Sequence, residues 1–153
     1  MLIAALLVNA DNIRFHDSAT SKKKVLENLS QILAANAAAG SAEKVFQVLL
    51  ERERLGSTGL GKGVAIPHAR VPGLTHTIAA MLTLETPVDF EAVDAQPIDI
   101  AFGLLVPEED TDNHLQHLSR LVTLFRDQGI CQKIRDADSS EQIFELLLSI
   151  DIE

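Results

Sequence analysis

Two stretches of the chain are apolar almost without interruption: Ile78-Ala-Ala-Met-Leu-Thr-Leu84 and Ile98-Asp-Ile-Ala-Phe-Gly-Leu-Leu-Val106. Both have strand length and both end in turn chemistry. A strand with one face in water alternates apolar and polar residues, whereas one that is apolar at successive positions must be covered on both faces. Helical patterns capable of covering them lie on either side in sequence. From Lys22 to Asn36 the residues Val25, Leu26, Leu29, Ile32 and Leu33 fall on helical spacing behind the capping candidates Ser18 and Ser21. A second helix starts at Ser41 and runs through Val45, Phe46, Val48, Leu49 and Leu50 towards Glu53. Past the strands, a helix opens at Thr111 or Asp112 and is predicted to carry Leu115, Leu118, Leu121, Val122 and Phe125 inward. Gly129 starts another through Cys131 and Ile134, and Ser139-x-x-Gln142 forms a capping-box signature for a last helix through Ile143, Phe144, Leu147 and Leu148. Thr86 to Phe90 reads as an added short strand and Asp94 to Pro97 as a turn. The order predicts an α/β fold, one domain over residues 1–153, with a mixed sheet flanked by helices on both faces.

Composition narrows the function. With 22 acidic against 13 basic side chains the formal charge is −9, and the one short basic run, Lys22-Lys23-Lys24, falls in the first turn of a helix. Nucleic-acid binders draw affinity from cations that neutralise phosphates, so none is expected as a partner. The chain has 6 Phe but no Trp or Tyr, which leaves few stacking platforms for bases or sugars. Its single cysteine, Cys131, sits among helical apolar positions and reads as core in a reducing compartment. The apolar start, Met1 to Val8, has no cationic residues before it and is stopped by Asn9-Ala-Asp-Asn12, unlike a leader. No apolar run approaches the roughly 20 residues that span a bilayer. A cytoplasmic protein without membrane insertion is the expectation.

The chemistry concentrates in Gly56-Ser-Thr-Gly-Leu-Gly-Lys-Gly-Val-Ala-Ile-Pro-His68. The glycines predict a loop that reaches positive φ and lets backbone N–H groups approach a ligand. His68 follows the apolar run Val64 to Ile66 and Pro67, whose ring stiffens the approach. The stretch is either an anion-handling site with a presented histidine or a turn with a partly buried one; it matches neither the P-loop nor the dinucleotide fingerprint. His114, in the first turn of its helix, lies where the macrodipole disfavours an imidazolium, so it is expected to be neutral and able to donate one N–H to an oxyanion. His114-x-x-His117 is also half of a metal site, but no third ligand is grouped with it, and His117 and His76 read as surface residues. Arg52 and Arg54 either cap the carbonyls at their helix end or clamp a phosphate with a guanidinium fork.

Taken together, Arg52 to His68, Leu84 to Phe90, Asp94 to Asp99, Leu104 to Pro107 and His114-Leu-x-x-Leu-Ser119 resemble the enzyme IIA domains of the phosphoenolpyruvate:sugar phosphotransferase system, in the mannitol/fructose (type 2) superfamily. The resemblance covers essentially the whole chain and is closest to the stand-alone, nitrogen-regulatory branch. It implies that His68 accepts a phosphoryl group through Nε2 from the phosphohistidine of an HPr-like carrier, with Nδ1–H held by a backbone carbonyl. It further implies that His114 steadies that group, that Arg52 lies beside it, and that no metal or cofactor takes part. The sequence departs from the family pattern at Ala69, where glycine is usual, and at Lys62, where asparagine is frequent.

No IIB-like or IIC-like segment accompanies these motifs. Together with the branch match, this favours a regulator whose phosphorylation state selects partner proteins, potassium transport or sensor proteins among them, over a relay passing phosphate to a sugar-specific IIB protein. A chain of charge −9 must still attract a phosphorylated carrier, so Arg52, Arg54, Lys62 and Arg70 are predicted to gather around His68.

Overall fold

The structure, a computed structural model, describes residues 3–109 and 111–150. It opens with a short helix, α1 (Ile3–Leu7), whose Ile3, Ala4 and Leu7 are buried in the core. A first strand, β1 (Ile13–Asp17), follows; sequence patterning alone did not predict it, because Arg14 and His16 dilute its apolar signal. Asp17 at its end is buried, and its carboxylate accepts hydrogen bonds from the Asn28 side-chain amide and the Ala19 N–H.

Helix α2 (Lys22–Leu33) is capped by Ser21, whose hydroxyl accepts the Lys24 N–H, and it ends at Leu33, earlier than the expected Asn36. Helix α3 (Ala42–Leu55) is capped in the same way by Ser41. The glycine-rich segment then forms strands rather than an open loop. Strands β2 (Gly59–Gly61) and β3 (Val64–Ala65) are an antiparallel hairpin, and its two turn residues, Lys62 and Gly63, both have positive φ, at 55° and 85°. That two-residue geometry matches the twist of the flanking strands and is most favourable for Asn-Gly, which supplies a physical reason for asparagine at position 62 in the family pattern.

After the hairpin come β4 (His68–Val71), β5 (Ile78–Val88) and β6 (Ile98–Pro107). Strand β5 absorbs the short strand expected from Thr86: pairing with β6 continues past Pro87 because the register shifts between Thr83 and Val88. Helices α4 (Thr111–Phe125), α5 (Gln128–Asp136) and α6 (Ser140–Leu148) complete the chain. Ser139 caps α6 by accepting the Gln142 N–H, and the Gln142 side chain reaches back to the N–H of Asp138, one residue before the cap.

The described strands form one mixed sheet ordered β1-β5-β6-β3-β2, with β4 also on β6. Period-two alternation explains the continuous apolar runs. Ala80, Leu82, Ala101 and Leu105 face Val25, Leu26, Leu29, Leu33, Val45 and Leu49 of α2 and α3. Met81, Ile100, Phe102 and Leu104 face α1, α4, α5 and α6 through Ile3, Leu7, Leu121, Phe125, Cys131, Ile134, Ile143 and Leu147. Each buried leucine contributes about 1.5–3 kcal/mol relative to exposure, so the two layers of helices secure the sheet from both sides. No helix among the described residues is long and apolar enough to cross a membrane.

This arrangement also positions His68. Strands β3 and β4 pair in parallel with the same edge of β6, β3 at Ile100 and Ala101 and β4 from Leu104 to Pro107. Between them the edge breaks at Ile66 and Pro67 and resumes at His68, held by a 2.9 Å hydrogen bond from the Leu104 N–H to the Pro67 carbonyl.

Candidate functional site

His68 opens β4 at that break, half-buried, and its Nδ1 lies 2.8 Å from the Ile66 carbonyl oxygen. A carbonyl only accepts, so Nδ1 carries the proton and the Nε2 lone pair is free in the neutral ring. Burial is the largest influence on this imidazole and lowers its pKa; Arg52 and Arg70 lower it further, while the Ile66 bond and Glu53 act in the opposite sense. The neutral form is therefore favoured at neutral pH.

His68 lines a cleft of about 830 Å³ together with Arg52, Arg54 and Leu55 at the end of α3, Arg70 of β4, and His114 and Leu115 of α4. Strand alternation places Arg70, two residues on, on the same side as His68, while Ala69 between them points into the α2–α3 core. Alanine at position 69 therefore fills core space.

His114 approaches from the opposite wall. It is 6 % exposed, its ring centroid lies 5.6 Å from that of His68, and its Nδ1 has no hydrogen-bond partner among the described residues. Burial lowers its pKa first, then His68, Arg70 and His117. The first turn of α4 thus brings a second imidazole that favours the neutral form to the same cleft, its Nδ1 buried and unpaired.

Arg52 takes the capping role open to it from sequence and also reaches the cleft. One Nη donates to the Gly56 carbonyl at 2.8 Å and closes the end of α3, while the side chain lines the cleft. Lys62 does not join the three arginines. It sits at the hairpin tip, where its N–H donates to Asp94 at 2.8 Å and its carbonyl accepts from Arg135 at 3.0 Å, so the expected four-cation cluster is a cluster of Arg52, Arg54 and Arg70.

Two further expectations change. Leu115 is 60 % exposed and lines the cleft instead of the core. His117 is half-buried, with Nδ1 3.3 Å from the Thr77 hydroxyl, whereas His76 is exposed as expected. Among the described residues no group of three or more His, Cys, Asp or Glu is arranged to hold a metal ion. Glu53, which sequence reading treated only as a helix end, is buried against Thr58 and Lys22. Its position between Arg52 and Arg54 was the available signal.

The sheet order and this cleft define a phosphotransferase-system IIA type of domain, and the chain belongs to that family. The model described as "Phosphoenolpyruvate-dependent sugar phosphotransferase system, EIIA 2" matches residues 6–150. The nitrogen regulatory protein of Pseudomonas aeruginosa is 38% identical over 130 residues, 85% of this chain and 84% of that protein. The crystal structure of nitrogen regulatory protein IIA-Ntr from Neisseria meningitidis superposes with a TM-score of 0.89 at 37% identity, covering 96% of this chain and 99% of the other. The mannitol enzyme IIA of Escherichia coli, solved in complex with its phosphorylated enzyme IIB, shares the fold at a TM-score of 0.77 and 20% identity, over 93% of this chain and 97% of that one.

Proposed function

We propose that this protein is a cytoplasmic phosphohistidine switch of the nitrogen-regulatory branch: His68 accepts a phosphoryl group from an HPr-like carrier, and its phosphorylation state selects partner proteins. The observation that carries the reading is the 2.8 Å bond between His68 Nδ1 and the Ile66 carbonyl, which leaves Nε2 as the free nucleophile in the cleft. In the transfer the P–N bond of the carrier's phosphohistidine breaks, its electron pair returns to the carrier's imidazole, and a new P–N bond forms at His68 Nε2. No hydroxyl is deprotonated, so no general base is required. What the step requires is alignment and neutralisation of the equatorial phosphoryl oxygens. Arg52, Arg54 and Arg70 line the cleft with charge suited to this, and the His114 ring, 5.6 Å from that of His68, adds a hydrogen-bonding group.

Transfer adds negative charge to a cleft rimmed by exposed leucines, Leu55 at 85 % and Leu115 at 60 %. A surface that is apolar and cationic before phosphorylation and carries an anion afterwards presents two different faces to a partner. Potassium transport and sensor proteins are candidates for such partners.

The deciding experiment is labelling from radioactive phosphoenolpyruvate through the upstream carriers. His68→Ala is expected to abolish the label, and full labelling of that variant would refute the assignment. The mannitol enzyme IIA, solved with a phosphorylated enzyme IIB, raises a second reading, a relay to a sugar-specific IIB protein. Affinity capture with the phosphorylated and unphosphorylated forms separates the two: different sets of regulatory proteins support the switch, and recovery of a IIB protein alone supports the relay.

A further inference from the structure

Glu53 is an ionisable group that the transfer chemistry does not use, yet it is among the most enclosed in the molecule. Its side chain is 2% exposed. The carboxylate accepts the Thr58 N–H at 3.1 and 3.2 Å and the Thr58 hydroxyl, and it pairs with Lys22 Nζ at 3.0 Å. Lys22 is itself fixed, 20% exposed and 4.8 Å above the Phe90 ring. These contacts tie three elements together: the first turn of α2, the end of α3 that carries Arg52 and Arg54, and the start of the β2 hairpin. Removing charges from water costs several kcal/mol per ion, and the pair is often no more stabilising than apolar replacements. A path of hydrogen bonds joins the pair to His68: the Thr58 N–H donates to Glu53, the Thr58 carbonyl accepts the Ile66 N–H at 3.0 Å, and the Ile66 carbonyl accepts from His68 Nδ1 at 2.8 Å.

We propose that Glu53 is a positioning residue that sets the phosphoryl-transfer potential of His68, its fixed negative charge opposing the cleft arginines and Lys22 partly masking it. The inference rests on the reading of His68 as the phosphorylated residue. The charged and titratable groups facing the His68 ring are Arg52 and Glu53 from α3, Arg70 from its own strand and His114 from α4. Without Glu53, Arg52 and Arg70 beside the imidazole would hold an incoming phosphoryl anion strongly, and a group held too strongly is not passed on or released. Glu53 raises the His68 pKa where Arg52 and Arg70 lower it, so the same charge also keeps the imidazole a better nucleophile.

The geometry makes a prediction with a sign. Glu53→Gln keeps the shape and hydrogen-bonding reach but removes the charge; Lys22→Met removes the mask and leaves the charge. With a purified phosphorylated HPr-type carrier, the equilibrium between carrier and protein is expected to move roughly fivefold towards phosphorylated His68 in Glu53→Gln, and by a similar factor away from it in Lys22→Met. The His68 imidazole titration, followed by NMR, should move down in the first variant and up in the second. A purely structural role lowers thermal stability in both variants and moves neither equilibrium nor titration in opposite senses. Unchanged equilibria, or shifts of the same sign, overturn the inference. If Glu53→Gln does not fold, the sign of the Lys22→Met shift decides alone. His68→Ala run in parallel keeps the two claims apart: label surviving in that variant refutes the site, whereas an unlabelled His68→Ala with unshifted Glu53 and Lys22 variants refutes only the role of Glu53.

Discussion

The imidazoles of His68 and His114 stand 5.6 Å apart, centroid to centroid, with their planes inclined by 44°. They arrive from different layers, His68 from a sheet edge and His114 from the first turn of α4, and both have lowered pKa values with burial as the main cause. Two imidazoles that favour the neutral form thus line one cleft and differ in their hydrogen bonding. His68 has its Nδ1 committed to a carbonyl, and His114 has a nitrogen uncommitted.

That difference predicts the effect of His114→Ala. The variant should fold, since the ring it removes contains a buried nitrogen without a partner, and it should accept phosphate more slowly by roughly 10- to 100-fold, the range for losing one preorganised donor. Quenched-flow transfer from a labelled carrier measures this, and a wild-type rate would show that His114 does not touch the phosphoryl group.

The same lowered pKa values make stability pH-dependent. Above the ordinary histidine value of 6.5, both the folded and the unfolded chain hold these rings neutral and their contribution is fully present. As pH falls below 6.5, the unfolded chain takes up protons that the folded site resists, and stability is lost until the folded pKa values are passed. Urea unfolding between pH 7.5 and about pH 5 should show this decline. In His68→Ala and His114→Ala the slope should be shallower, and an unaltered slope would mean that other groups cause it.

Arg52 joins fold and chemistry through its bond to the Gly56 carbonyl. Arg52→Ala should cost about 1 kcal/mol of stability from that lost hydrogen bond and also slow phosphorylation of His68. Arg52→Lys restores a charge but not the planar fork, so it should recover only part of the rate. Equal rates for the lysine and wild-type proteins would reduce the role of Arg52 to a point charge.

At the hairpin tip, Lys62 adopts φ 55° next to Gly63 at 85°. Lys62→Asn should stabilise the protein by roughly 0.5–1 kcal/mol, because asparagine tolerates this left-handed backbone better than lysine. Gly63→Ala should do the reverse, since φ 85° strains an L-residue and a Cβ would press on the Arg135 guanidinium held by Asp99 and the Lys62 carbonyl. Chemical denaturation of both variants tests the assignment of the turn.

Much of the fold was legible because it follows from local periodicity. The two continuous apolar runs could only be strands covered on both sides, and Ser21, Ser41 and Ser139 cap the helices they were expected to start or precede. Where neighbours in space dominate, local patterns failed. The β1 pattern is too mixed to read alone, since it depends on pairing with β5 and on Asn28 to satisfy Asp17. The hairpin looked like a loop because its order comes from pairing with β6. Leu115 fits an inward helical position but lines the cleft instead of the core.

By itself, then, the sequence determined the family, the plan of a sheet between two helix layers and His68, His114 and Arg52 as the residues to examine, because these depend on residue type and short spacing. Tertiary structure alone decided which of the cations reach the cleft, which nitrogen of His68 is committed and what Glu53 is buried against. Lys62 is only six residues from His68 yet belongs to the hairpin tip, whereas His114 is 46 residues away and shares its cleft. Proximity of this kind is set by how β6 holds β3 and β4 on one edge, and by the burial of Glu53 against Lys22 and Thr58. Those are long-range contacts between elements, and short-range residue spacing does not encode them.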